Sequence, residues 1–559
     1  MATAVHSARE TVDAIGHILG TVAAHPRREF APSFSSATGR EPRAPATATA
    51  ETIRLSRMLP TTSVHLRRAI RASAALVVLA GLGTIAGTTP RANPQPGVES
   101  PFLVKPYLQL GDLPRLSSTE PVRVLWQAQN DATATWTVDV RQGDQESWRA
   151  AIATGGRLLG TPGSLYRIFS VPLTRLAPGR EFDYRVSRNG EVVLTARGKT
   201  RAARDQPYRF AVTGDTGANT VQEKRVVHRM HEAQPDFFAI AGDIVYSTGR
   251  MVEYREKYFP IYNADVASPE TGAPLIRSRL SFGAYGNHDA GTGDLERDPD
   301  GQAYFLTWAL PLNGPYTEPG LPNTQVLKGT PDLLKAHLGA IRSTFPRMSN
   351  YSFDYGNSHW TFLDSNVYVD WSDPYLRNWL ARDLAAARDA TWKFVVFHHP
   401  GFNSSRAHFS EQQMRLISDI LEHRGVDIVF NGHVHNYQRA KPLKFLATPA
   451  PDRTFKVRAS YVIDGDFEID DSFDGVSDTT PDGVVYIVTG AGGAGAYDPD
   501  QTDNVATWQP FTHKLVSDVY SFTVVDVEGG RLVLRQISEQ GEELDRMIVT
   551  KPSPGTRRP

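Results

Sequence analysis

Five apolar runs in this chain each end in polar residues that can bind cations or move protons: "YRFAVTGD" (208–215), "PDFFAIAGD" (235–243) continued by "IVY", "LSFGAYGNHD" (280–289), "WKFVVFHHP" (392–400) and "VDIVFNGHVH" (426–435). The donors at these ends are Asp215, Asp243 with Tyr246, Asn287 with His288, His398, and His433 with His435. Taken one at a time they have ordinary explanations. An Asp after Gly is a common turn former or helix N-cap, an Asn tolerates a left-handed turn, and a Tyr belongs in a core. Taken together they are a set of hard oxygen and imidazole donors with no thiolate, which suits divalent and trivalent metal ions. Two cations about 3.5 to 4 Å apart can share a carboxylate and clamp the attacking and leaving oxygens of an in-line displacement, so no protein nucleophile is required.

The rest of the composition narrows the chemistry. The 559 residues include no cysteine, which removes thiolate nucleophiles, disulfides, Fe–S clusters and Cys-based zinc sites. Lys plus Arg number 60 against 61 Asp plus Glu, so there is no broad field to draw in nucleic acid or an anionic membrane, and any anion must be bound locally.

The apolar runs alternate with helical periodicity, as in "TVQEKRVVHRMHE" and over Pro374–Arg388 and Ser410–Arg424, which predicts βαβ units. In such α/β sheets ligands gather at the carboxyl ends of the strands, where every one of the polar clusters lies. Residues 291–345, rich in Gly, Pro and Asp, are expected to form a long loop or lid carrying "YFLTWALPLNG". Residues 483–550 read as strands completing a second sheet, and the glycines of "TGAGGAG" as a tight turn near the site, since they lack the Lys-Ser/Thr of a phosphate-binding P-loop. His228 and His231, three apart on a helix with no obvious partner, read as a solvated face.

Upstream, residues 101–203 alternate apolar and polar positions between turn signals, the pattern of a small all-β sandwich. "LTRLAPGREFDYRV" resembles the late-strand signature of fibronectin type III domains, which implies core positions for Leu176 and Tyr184, a turn at Pro178-Gly179 and a buried Trp126. Further upstream, Arg54, Arg57, Arg67, Arg68 and Arg71 precede the uncharged "ASAALVVLAGLGTIAG" (72–87), the layout of an export signal rather than a stable membrane span. Met58 stands where such a signal would begin. The expected organisation is therefore an upstream segment (1–57), an export signal with a Pro-rich linker (58–100), a fibronectin-like region (101–203), the catalytic region (206–550) and a tail (551–559).

The series "GDTG … GDIVY … GNHD … VVFH … GHVH" resembles the five-block signature of the purple acid phosphatases, within the calcineurin-like metallophosphoesterase superfamily. The resemblance implies a double-sheet α/β sandwich flanked by helices. It implies that Asp215, Tyr246 and His435 hold Fe(III), that Asn287, His398 and His433 hold a divalent Zn, Fe or Mn ion, and that Asp243 bridges both. His399 is the alternative to His398, but the family pattern places the ligand after V-x-x, at His398. It also implies that His288 and His408 face the substrate phosphate; Asp289 could orient His288. The reaction implied is attack of metal-bound hydroxide on a phosphomonoester in an exported acid phosphatase. A phosphodiesterase or nucleotide hydrolase on the same site is the neighbouring reading, and a non-catalytic surface-binding protein the distant one. "GDIVY" separates the chain from Ser/Thr protein phosphatases, which resemble "GDxVDRG" there.

Overall fold

Strands that are apolar on both faces, such as Trp392–Phe397 apart from Lys393 near its start, with Phe394, Val395 and Val396 inaccessible to solvent, form only where both faces of a sheet are covered. In the computed structural model two sheets cover each other. One has six strands in the order Leu280–Gly283, Phe237–Ile240, Tyr208–Thr213, Ser521–Glu528, Arg531–Ser538 and Glu543–Thr550. The other has seven, in the order Tyr351–Tyr355, Ser358–Leu363, Trp392–Phe397, Ile428–Asn431, Val485–Thr489, Tyr437–Ala440 and Thr512–Val516. Aromatic side chains fill the space between them: the ring of Phe210 lies 4.8 Å from Trp360 and 5.3 Å from Phe394, and Phe282 lies 3.9 Å from Phe353. The structure describes residues 100–143, 147–151, 155–160, 164–448 and 462–551; the expectations for the export signal and for the segments upstream of residue 100 lie outside them.

The strands that carry the candidate donors are parallel to their neighbours, Phe237–Ile240 to both Tyr208–Thr213 and Leu280–Gly283, and Ile428–Asn431 to Trp392–Phe397. Their carboxyl ends therefore open on the same edge of the sandwich. After the first strand the helix Val221–Glu232 begins where Thr220 Oγ1 accepts the amide of Glu223, and Val226, Val227 and Met230 bury its apolar face. The Glu223 carboxylate, itself buried, accepts the amides of Gly217, Ala218 and Asn219 and so fixes the loop after Asp215.

Residues 104–199 form two four-stranded antiparallel sheets, with Trp126 stacked on Phe169 at 4.6 Å in its own sheet and 5.6 Å from Trp136 in the other. Trp126, Leu176 and Tyr184 are all fully buried. Arg201, completely enclosed, ties this region to the sandwich: it pairs with Glu120 at 2.5 Å and donates to the carbonyls of Arg115 and Asp354, both at 2.9 Å.

Two expectations need correction. Residues 291–345 do include a long irregular stretch, 308–330, but the segment carrying "YFLTWALPLNG" is packed into the core and not a free lid. Tyr304, Phe305, Leu306, Trp308 and Leu310 are buried, Tyr304 donates to the Gly283 carbonyl at 2.8 Å, and Pro331–Ile341 is a helix begun by Thr330 and Pro331. The helix expected over Ser410–Arg424 starts later, as a 3-10 turn over Gln413–Ile417 running into an α-helix over Ser418–His423. Tertiary bonds override the local periodicity there: Glu411 is held by two histidines, Gln412 accepts the amide of Ile463, and Arg415 donates to the Gly401 carbonyl. Helix Pro374–Ala386 forms as expected, capped by Asp373.

Candidate metal centre

His398, directly after its strand, places Nδ1 2.8 Å from the carbonyl of Ala241. A carbonyl can only accept, so Nδ1 carries the proton of the neutral ring and Nε2 presents a lone pair. Around that Nε2 stand Asn287 Oδ1 at 3.0 Å, Asp243 Oδ2 at 3.1 Å and His433 Nδ1 at 3.3 Å. The Nε2 of His433 meets Glu411 Oε2 at 2.9 Å, which fixes its proton there and turns the Nδ1 lone pair inward. With the ring neutral, four acceptor atoms thus converge, an arrangement that holds together only around a positive charge, a proton on His398 Nε2 or a metal ion. These residues fit a metal ion.

A second group adjoins it. His435 Nδ1 lies 2.6 Å from the carbonyl of Gly495, leaving Nε2 3.1 Å from the Tyr246 hydroxyl and 3.4 Å from Asp215 Oδ1; Tyr246 lies 3.2 Å from the same Asp215 oxygen. His398 Nε2 and Asp215 Oδ1 are 4.0 Å apart, so the two groups touch. These oxygen and imidazole donors also fit a cation. The backbone is strained to present them: Asp215, Asp243 and His433 all have positive φ, at 57°, 49° and 67°. The glycine-rich segment closes on this side, with Gly492 and Ala494 donating amides to the carbonyls of Gly214 and Asp215.

Without a cation the charges hold protons instead. Burial alone would depress the His398 imidazole, yet Asp243 and Asp215 raise it to about 9. Burial and the charge of Asp215 hold the Tyr246 phenol well above its usual value.

His288 and His408 border the cluster, both partly exposed. His288 points Nδ1 at the Ser247 carbonyl (2.7 Å), with Nε2 3.9 Å from Asp243; His408 points Nδ1 at Glu411 Oε1 (2.6 Å). The orienting role expected of Asp289 is not what the structure shows. Its buried carboxylate accepts the amides of Gly286 and Ile244, the residues beside Asn287 and Asp243, and the imidazole of His288 is held by Ser247 instead. Adjacent positions in a helical turn point in different directions, and Asp289 turns back on its own N-terminus. Burial and the charge of Asp243 push this carboxyl up to about 8. The ring of His399 meets Ser365 and His433 rather than Asp243 and Asn287, and burial, with the other imidazoles around it, holds its pKa well below the usual value. His399, Glu411 and His433 form a further grouping of donor atoms, in which Glu411 is shared between His408 and His433. His228 pairs with Glu232 on its own helix, and Tyr437 and Arg439 bind Asp545, a structural arrangement. Glu411 and Tyr497, whose ring stacks on His435 at 4.0 Å, had no signature in the sequence.

Comparison with known proteins agrees with this geometry. Residues 208–437 match the calcineurin-like phosphoesterase family. The chain is similar to purple acid phosphatase 21 of Arabidopsis thaliana, at 26% identity over 50% of this chain and 54% of that protein, and to purple acid phosphatase 18 of the same plant, at 29% over 42% and 45%. The chain spans about half the length of these curated relatives. Among solved structures, GAP50, the anchor in the inner membrane complex of Plasmodium, aligns over 62% of this chain and 90% of that one at 13% identity and a TM-score of 0.37, too slight a likeness to carry an argument. Residues 208–437 are therefore a calcineurin-like phosphoesterase domain, and the curated proteins that the chain resembles are purple acid phosphatases.

Proposed function

We propose that this protein is a dinuclear metal-dependent acid phosphatase acting on phosphomonoesters. The observation that carries the reading is the convergence on His398 Nε2 of oxygen and imidazole acceptors from Asp243, Asn287 and His433. Asn287, His398 and His433 would hold a divalent Zn, Fe or Mn ion; Asp215, Tyr246 and His435 would hold Fe(III); Asp243, between the groups, would be shared. When bound, two such ions supply charge neutralisation for a phosphoryl group and a water acidic enough to attack it at low pH.

The chain's own residues supply the rest. Ala241, Gly495 and Glu411 fix the tautomers of His398, His435 and His433, so that each presents a lone pair. His288 and His408, each anchored through Nδ1, leave Nε2 to meet the substrate. A protonated imidazole of this pair would hand its proton to the departing alkoxide as the P–O bond breaks. Asp289 and Glu223 hold the loops that carry Asn287, Asp243 and Asp215.

Residues 101–203 would form a separate fibronectin type III-like domain beside the catalytic one, a reading supported by the buried Trp126 and Tyr184 between its sheets. Export is supported by the arginine-flanked apolar stretch in the sequence; among the described residues no helix is long and apolar enough to cross a membrane. The test is metal analysis joined to hydrolysis of monoesters, diesters and nucleotides across pH. About two metal ions per chain, highest turnover on monoesters in acid, and loss of both metal and activity in Asp243→Ala are expected. Full activity in Asp243→Ala would overturn the assignment, and preference for a diester or nucleotide would redirect it to the neighbouring reading.

A further inference from the structure

We propose that Tyr497 is a further substrate-facing residue, whose hydroxyl donates a hydrogen bond to the phosphoryl oxygen that a monoester has and a diester has replaced by an ester linkage; this rests on the phosphatase reading above. Three observations place the side chain. Its ring stacks on His435, 4.0 Å between centroids and 14° between planes, and lies 5.4 Å from the ring of His408. It therefore stands between a candidate ligand and a candidate proton donor. Its hydroxyl makes no hydrogen bond among the described residues, although the side chain is half buried. Finally, the loop that carries it already forms part of the wall of the site, because the carbonyl of Gly495, two residues before Tyr497, lies 2.6 Å from His435 Nδ1.

The position is held from behind. Asp498, the next residue, has φ of 50° and accepts hydrogen bonds from Ser405 Oγ, from the amide of Ala407 at 3.0 Å and from Arg406 Nε at 3.1 Å. The segment leading to His408 is thereby clasped to the segment bearing Tyr497. The amide of Tyr497 also donates to the carbonyl of His435 at 3.3 Å. A phenol fixed in this way, with no partner of its own, is a preorganised donor.

The consequence for substrate class follows from the acceptors. A monoester dianion presents three charged non-bridging oxygens. A diester presents two, and offers an alkoxy oxygen, a much weaker acceptor, in the remaining position. A neutral donor aimed at that position rewards the monoester, and a site built to hydrogen-bond a group discriminates against the analogue lacking it.

The test is Y497F in the metal-loaded protein, with 4-nitrophenyl phosphate, bis(4-nitrophenyl) phosphate and inorganic phosphate as probes. With metal content and the visible spectrum unchanged, kcat/KM on the monoester should fall about tenfold and phosphate affinity by a similar factor, while the diester changes by less than about twofold. Equal losses on both esters, or unchanged phosphate affinity, would overturn the assignment. So would a fall in bound metal, which would make Tyr497 a support for His435. Wild-type protein that binds phosphate yet hydrolyses neither ester counts against the phosphatase reading, and phosphate affinity in Y497F then decides the donor role alone.

Discussion

Glu411 Oε2 lies 2.9 Å from Nε2 of His433, while Nδ1 of the same ring lies 3.3 Å from Nε2 of His398. One carboxylate thus selects which nitrogen of His433 is available to a cation, and its other oxygen holds His408. Glu411→Ala frees both imidazoles to rotate. Affinity for the ion held by His433 should weaken by about 10- to 100-fold, the usual effect of losing a partner of a ligating histidine. Titration of the metal-free protein with Zn(II), followed calorimetrically, checks this; an affinity matching the wild type would mean that packing alone orients His433.

The Tyr246 phenol makes a separate prediction, on colour. Burial and Asp215 hold it protonated in the bare protein, so a phenolate at this position requires a strongly charged cation beside it. The iron-loaded protein should show a visible tyrosinate-to-Fe(III) band that disappears on chelation and is absent in Tyr246→Phe reconstituted with iron. A band of equal intensity in the variant would exclude Tyr246 as its source.

These two residues mark what was legible in the sequence. Tyr246 could be singled out because it stands three residues beyond Asp243 at a strand end, and strand ends are visible as the limits of apolar runs. Glu411 could not, because its role depends on a tertiary approach to His433, 22 residues away. The error over Asp289 has the same origin in reverse, since adjacency to His288 in sequence implied a contact that the helical turn forbids. Helix Pro331–Ile341 was a different kind of miss. Thr330, Pro331 and Asp332 are ordinary helix-start signals, hidden by the surrounding Gly and Pro content. The false start at Ser410 shows tertiary bonding to Gln412 and Arg415 overriding a correct local periodicity.

Gly286 is tested by adding one methyl group. A Cβ at this position would collide with the amide nitrogen and Oδ1 of Asp243, and Gly286 also donates its amide to Asp289. Both neighbours are backbone or buried carboxylate and have nowhere to move. Gly286→Ala should therefore fold with a loss of about 1 to 3 kcal/mol, as overpacking does, and bind metal well below two ions per chain. Thermal unfolding with metal analysis reads both; a variant with full metal content would show that the loop can retreat without moving Asp243.

Away from the metal centre, His359 supplies a pH dependence. It is fully buried, with Nδ1 2.9 Å from Asp354 and Nε2 3.1 Å from Asp383. Asp354 also faces Arg115 at 3.1 Å and Arg204 at 3.8 Å, and Asp383 accepts from Ser352 and Thr361. Burial opposes the imidazolium, but the two carboxylates outweigh it and raise the His359 pKa, while His359 helps to lower both of theirs. A raised histidine stabilises the fold fully below its unfolded pKa of about 6.5, and that contribution is lost as pH rises through the higher folded value. The lowered carboxylates contribute above their unfolded pKa of about 3.9 and lose that contribution as pH falls through their folded values. Stability from this cluster is thus greatest between about pH 4 and 6.5. His359→Gln removes the cation from between two buried carboxylates and should cost about 3 kcal/mol near pH 6. The difference in unfolding free energy between wild type and variant should then narrow from pH 6.5 upward. Because titrations elsewhere in the protein are common to both, a constant difference from pH 6 to 9 would mean that His359 is not charged in the folded state.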